Sequence, residues 1–181
     1  TKVIRIDPDD AKAYFNRGWA YDELENYEAA LSDYTEAIRI DSDYTKAYVN
    51  RGGVYAATGN YEAALSDCNK AIRIDPENKD AYLNRGYTHS RMGDRSAALS
   101  DYTAVIRLDS DYAQAYYNRG CVYDDIGNYN AAQLDYTIAI GIDPYYTDAY
   151  FNRATSKYNN GMPSCSDYKK ACELGNEDGC T

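Results

Sequence analysis

The segment Ala-Tyr-x-Asn-Arg occurs at Ala13, Ala47, Ala81, Ala115 and Ala149, each start 34 residues after the last. A fixed period of this length marks one supersecondary unit copied and stacked, because a single helical pair cannot bury its apolar face but a row of pairs can. Inside each period, key residues recur at steps of three and four, the spacing of one side of an α-helix. The first helix of the first unit carries Tyr14, Arg17, Gly18 and Tyr21 on one side, and the second carries Tyr27, Ala30, Leu31, Tyr34, Ala37 and Ile38. Small Ala30 and Ala37 alternate with larger neighbours, so the two helices can interlock, and Gly18 permits close backbone approach. Gly59, Gly93 and Gly127 fall at the turn within a pair. Asp-Pro and Asp-Ser fall at the joints between units, where Asp is expected to cap the next element and Pro to stop the last.

The pattern Tyr14-x-x-Arg17-Gly18-x-x-Tyr21, then Ala30, Tyr34 and Ala37, returns at Tyr48, Gly52, Tyr55, Ala64 and Ala71, and again at Tyr116, Gly120, Tyr123, Ala132, Tyr136 and Ala139. Pro76 and Pro144 close two of the units. Over residues 11 to 161 this resembles the tetratricopeptide repeat family. The resemblance implies an all-α fold, a right-handed superhelical α-solenoid of stacked antiparallel helix pairs. It sets repeats at 11–44, 45–78, 79–112 and 113–146, with a shortened repeat or capping helices at 147–181. Residues 1–10 match the end of a second helix, as Lys2-Val-Ile-Arg-Ile-Asp-Pro8 repeats Ala71-Ile-Arg-Ile-Asp-Pro76, so the chain is expected to be a fragment that opens inside a repeat. Val3, Ile4 and Ile6 would then form an apolar end face prone to end-to-end self-association. Departures from the family pattern are Arg in place of the usual Leu, Ser42 and Ser110 in place of the closing Pro, and His89 in place of a first-helix Tyr.

Composition narrows the partner. The net charge is −10 and no Lys/Arg cluster breaks it, which argues against nucleic acid and anionic membrane surfaces. No apolar run approaches membrane-spanning length. There is no Gly-rich phosphate loop and no paired metal-ligand motif, and the single His lacks partners for catalysis or zinc, so the reading is a non-enzymatic chain without cofactors. His89 and most of the 22 tyrosines read as packing residues at recurring repeat positions. The adjacent acids Asp9-Asp10 and Asp124-Asp125 read as solvated surface or caps.

By the resemblance, the opposite face of the first helices lines a groove that binds partners. It collects Phe15, Asn16, Trp19 and Asp22 from the first unit, Asn50 from the second and Asn84 and Tyr87 from the third. The fourth supplies Tyr117, Asn118, Asp124 and Asp125, and the last Phe151 and Asn152. An amide has both donor and acceptor, so the Asn column could pair with backbone groups of an extended peptide; the alternative is bonding within or between helices. The aromatic residues would anchor apolar side chains. Acids on this face, Asp22, Glu23, Asp80, Asp124, Asp125 and Asp148, outnumber Lys12, Lys46 and Arg91, so the expected partner is a protein or peptide, neutral to basic, with apolar anchors. Family members that clamp acidic chaperone tails use Lys and Arg on successive first helices, and those cations are missing here. The alternatives left open are a self-associating structural solenoid and a regulatory arm of a larger protein.

Two further expectations concern side-chain pairs. Arg17, Arg51, Arg85, Arg119 and Arg153 stand on the packed side of each first helix, where a charge needs a partner. Asp33, Asp67, Asp101, Asp135 and Asp167 recur in parallel on the second helices, which suggests Arg-Asp pairs, against Arg heads that snorkel to water. The tail Cys172-x7-Cys180 resembles cysteine-rich Sel1-like repeats, and that resemblance implies a disulfide and an extracytoplasmic home. The odd count of five cysteines leaves reduced buried thiols, and a cytoplasmic home, as the other reading.

Overall fold

The computed structural model describes residues 7–180, the side chain of Cys180 excepted. The remnant helix at residues 1–10, and the end face of Val3, Ile4 and Ile6, lie mostly or wholly outside the described residues. Among the described residues ten α-helices follow in order: α1 (Ala11–Asp22), α2 (Tyr27–Ile40), α3 (Thr45–Ala57), α4 (Tyr61–Ile74), α5 (Lys79–Arg91), α6 (Arg95–Leu108), α7 (Ala113–Asp125), α8 (Tyr129–Ile142), α9 (Thr147–Asn159) and α10 (Cys165–Glu173), then a 3-10 turn at Glu177–Cys180. The chain divides into two compact units, residues 1–92 and 93–181. No helix among the described residues is long and apolar enough to cross a membrane.

In the first unit α1 packs on α2, α2 on α3, α3 on α4 and α4 on α5, while the first helices of successive repeats also touch, α1 on α3 and α3 on α5. In the second, α6 to α10 pack each on the next, and α7 also touches α9. This is the arrangement of a solenoid of helix pairs. Close approach within a pair rests on the small residues: Ala30, Ala37, Ala64, Ala71, Ala132 and Ala139 are fully buried. A Cβ on Gly18 would stand 2.9 Å from the Tyr34 ring, and one on Gly120 would stand 2.7 Å from Tyr136.

Capping is more selective than the sequence suggests. Asp10, Asn26, Asn60, Asn78, Asp94 and Asn128 cap their helices by accepting a backbone N–H. At α3, α7 and α9 the cap position holds Tyr44, Tyr112 and Tyr146, with no side-chain cap bond. Two of these rings pack instead, Tyr44 on Phe15 at 5.2 Å and Tyr146 on Tyr117 at 4.8 Å between centroids. The joint aspartates also depart from expectation. Asp41, Asp75, Asp109 and Asp143 end the preceding helix and accept the N–H two residues on, from Asp43, Glu77, Asp111 and Tyr145. Each forms an Asx turn rather than a cap, because the next helix starts too far along the chain for its side chain.

Candidate functional site

The packed side of each first helix is fixed by its arginine. Arg17 donates through Nε and Nη2 to both carboxylate oxygens of Asp33, each at 2.6 Å. Arg51 does the same to Asp67 at 2.7 and 2.9 Å, Arg119 to Asp135 at 2.8 Å twice, and Arg153 to Asp167 at 2.9 and 2.7 Å. These aspartates are buried, and bidentate pairing is what such a burial demands. Each guanidinium also lies over the ring of the tyrosine three residues before it, from 5.3 Å at Arg85 and Tyr82 to 5.7 Å at Arg51 and Tyr48. The remaining donor reaches backwards: Nη1 of Arg51, Arg119 and Arg153 donates to Thr35, Thr103 and Thr137, and that of Arg85 to Asn69 at 2.7 Å. Asp101 belongs to the other unit from Arg85. Sequence reasoning missed this backward link, although Thr35, Asn69, Thr103 and Thr137 recur at the same period. It also missed Lys157, whose Nζ donates to Asp167 at 2.8 Å.

On the opposite face the asparagines are partly committed. Asn84 Nδ2 donates to the carbonyl of Val49 on the preceding first helix at 3.1 Å. A carbonyl only accepts, so this bond fixes the amide orientation and leaves Oδ1 and the second Nδ2 hydrogen open. Asn50 Nδ2 donates to the Tyr34 hydroxyl at 3.4 Å, which itself donates to Asp22 at 3.4 Å. Asn152 donates to the Tyr117 hydroxyl at 3.0 Å and lies 3.5 Å from Cys121 Sγ, and Asn118 accepts from Gln114 at 3.1 Å. Asn16 is exposed. At Asn50, Asn84 and Asn152 an Nδ2 hydrogen ties helices together, the bonding between helices that the sequence left open, and Oδ1 carries no bond among the described residues.

The aromatic anchors also divide. Phe15 packs on Tyr34 and Tyr44, Tyr117 on Tyr136 and Tyr146, and Phe151 edge-on against Tyr168, so these three serve the core and are at most half open to a partner. Trp19 and Tyr87, at 53% and 43% exposure, are free on the surface. Among the acids, Asp125 is exposed and lies 3.9 Å from Arg95. Asp124 is half-buried rather than solvated, accepting from the Tyr136 hydroxyl at 2.9 Å. Burial pushes its carboxyl above the ordinary range, offset in part by the Ser156 and Tyr136 hydroxyls. Asp22 is raised in the same way by burial, with Tyr34 working against the shift.

Cys68, Cys121 and Cys165 are outside any disulfide, whereas Cys172 is disulfide-bonded, the state implied by the Sel1-like resemblance. The side chain of Cys180 is outside the described residues. Beside Cys172, a cleft of about 640 Å³ is lined by Phe151, Cys165, Tyr168, Lys169, Glu173 and Asp178.

Stacked helix pairs with a tied inner side and a partly open first-helix face define a protein-interaction scaffold. Sequence models agree: one described as tetratricopeptide repeat matches residues 11–44, another of that description matches 79–112 and 113–146, and one described as TPR repeat matches 52–93. The chain belongs to the tetratricopeptide repeat family, whose members are typically non-enzymatic protein-interaction modules. No curated protein matches the sequence significantly. Among solved structures, MamA from Desulfovibrio magneticus RS-1 is 21% identical with a TM-score of 0.79, covering 91% of this chain and 94% of its own. YrrB, described as a TPR protein with an unusual peptide-binding site, is 23% identical with a TM-score of 0.73, covering 98% and 92%. TTC0263, a thermophilic TPR protein in Thermus thermophilus, is 19% identical with a TM-score of 0.76, covering 93% of each. These likenesses are to the fold.

Proposed function

We propose that the chain is a non-enzymatic scaffold whose first-helix faces hold an extended segment of a partner protein. The observation that carries the reading is the pinned amide pair: Asn50 and Asn84 each donate one Nδ2 hydrogen to a neighbouring helix, which fixes the amide, and keep Oδ1 unbonded among the described residues. Fixed acceptors on adjacent first helices suit the backbone N–H groups of an extended chain, which recur along one edge whatever the side chains are. Charge supports a neutral to basic partner. In the second unit this face holds Asp124, Asp125 and Asp148 and no Lys or Arg. YrrB, a protein of the same fold described as having a peptide-binding site, points the same way.

The test is selection of displayed random peptides on the full chain, followed by titration of the winners. Neutral to basic peptides should be enriched, and replacing Asn50 and Asn84 together by Ala should weaken them by about 1–3 kcal/mol in total. Because both amides also tie helices, binding is read at a temperature where each protein is fully folded. Enrichment of acidic peptides alone, or undiminished binding by the double variant, would refute the reading.

A further inference from the structure

We propose that Gly53 is the floor of a notch, walled by Trp19 and Tyr87, that receives one bulky uncharged side chain, aliphatic or aromatic, of the segment held in the first unit. The inference rests on the reading of the first-helix face just given. Trp19, Gly53 and Tyr87 occupy the same position in three successive repeats, on α1, α3 and α5, and these helices pack side by side. Neither large ring is stacked on another among the described residues, and both are exposed.

The glycine is the telling residue. Glycine weakens a helix interior relative to alanine, so each one there calls for a reason. Gly18 and Gly52 have one in packing: a Cβ would stand 2.9 Å from Tyr34 at the first and 3.2 Å from the Cys68 sulfur at the second. At Gly53 a Cβ would meet only Asn84 Nδ2, at 3.4 Å, which is close to ordinary contact. Helix packing therefore tolerates a side chain at Gly53, and what its absence provides is room between two exposed rings. In the second unit the matching positions are Cys121 and Thr155, with no ring at either, so the notch belongs to the first unit.

The occupant's chemistry follows from the walls and the charges. Lys12, Lys46 and Arg91 on this face balance Asp22, Glu23 and Asp80, so neither sign of charge is favoured. One Asn84 Nδ2 hydrogen is committed to the Val49 carbonyl, which holds the amide in place beside Gly53. Two ring faces and a bare backbone suit Leu, Ile, Met or Phe.

Trp19 is the single tryptophan, so its emission reports on this notch alone. The full chain is titrated with nine-residue peptide pools, random except for a central residue fixed as Leu or Phe, Ala, Asp, or Lys. The Leu or Phe pool should shift the emission to the blue and saturate at a concentration at least tenfold below the other pools. Gly53→Leu should cancel that advantage. Gly53→Ala should raise the melting midpoint by about 1–4 °C while weakening the Leu or Phe pool about threefold, an opposition that damage to the fold cannot produce. If the Leu or Phe pool binds Gly53→Leu as well as the parent, or shows no advantage over Asp, the notch is refuted while peptide holding stands. If no pool binds, the peptide-holding reading fails and the notch with it.

Discussion

Asp124 and Asp167 lie in the same unit, and their surroundings push them in opposite directions. Burial raises the Asp124 carboxyl and two hydroxyls offset only part of that, so the folded protein holds this proton more tightly than the unfolded chain does. Its cost is present at neutral pH and is relieved as pH falls through the raised value towards the ordinary 3.8. At Asp167 burial also works against the carboxylate, but the bonds from Arg153 and Lys157 outweigh it and hold the group below its ordinary value. That stabilisation is complete above 3.8 and is lost as pH falls through the lowered folded value. Asp124→Asn, which keeps an oxygen for Tyr136, should therefore raise stability at pH 7 by up to about 1 kcal/mol. Asp167→Asn leaves two half-buried cations without their buried carboxylate and should cost about 3 kcal/mol. Urea unfolding of both variants at pH 7 decides, and shifts of the same sign would overturn the argument. In the sequence Asp124 looks solvated because its neighbour is Asp125; the residue that encloses it, Tyr136, lies 12 positions on. The same interval separates Asp22 from Tyr34, so a recurring Asp-Tyr spacing was a readable signal that adjacency masked.

Helix existence and pairing were legible because the three- and four-residue steps repeat in every unit, and a local signal repeated five times is hard to misread. The turn within each pair follows too: Gly59, Gly93 and Gly127 take left-handed backbone at φ 82°, 83° and 75°. The first repeat departs, with Glu25 at φ 55° where no side chain is comfortable. Glu25→Gly should raise the melting midpoint, by about 0.5–1 kcal/mol of stability, whereas Gly120→Ala should cost about 1–3 kcal/mol because its Cβ meets the Tyr136 ring. Thermal unfolding followed by circular dichroism compares the two, and a loss of stability in Glu25→Gly would count against the strain argument. What the sequence did not reveal depends on partners far along the chain. Two of the tyrosines at the uncapped helix starts, Tyr44 and Tyr146, answer to rings 29 positions back, at Phe15 and Tyr117. The orientation of the Asn84 amide is set by a carbonyl 35 positions back. Periodicity says which face a residue lies on and nothing about which of its atoms is already engaged.

A charge of −10 spread over a solenoid repels itself, while the Arg-Asp pairs are buried and shielded from salt. Raising NaCl from about 0.05 to 0.5 M, where the Debye length drops well below 10 Å, should raise the melting midpoint. A fall would mean that exposed ion pairs outweigh the net repulsion. Contacts in a solenoid run between neighbours, so a change at one end stays local. Reducing the Cys172 disulfide should speed amide exchange over residues 165–180 and leave residues 7–92 as they were, measured by mass spectrometry. Arg51 and Arg119 each reach 16 residues forward to an aspartate and, through the last donor, 16 residues back, as Arg51 does to Asp67 and Thr35. In the last repeat the forward step is 14. That symmetry bears on how such a chain changes its length over generations. Unequal crossing-over that inserts or deletes one whole period joins like to like, returns guanidinium groups to equivalent carboxylate and side-chain oxygen partners, and preserves the packing that folding requires. Any other length of insertion strands a buried charge, so the genetics of this chain should count in steps of 34.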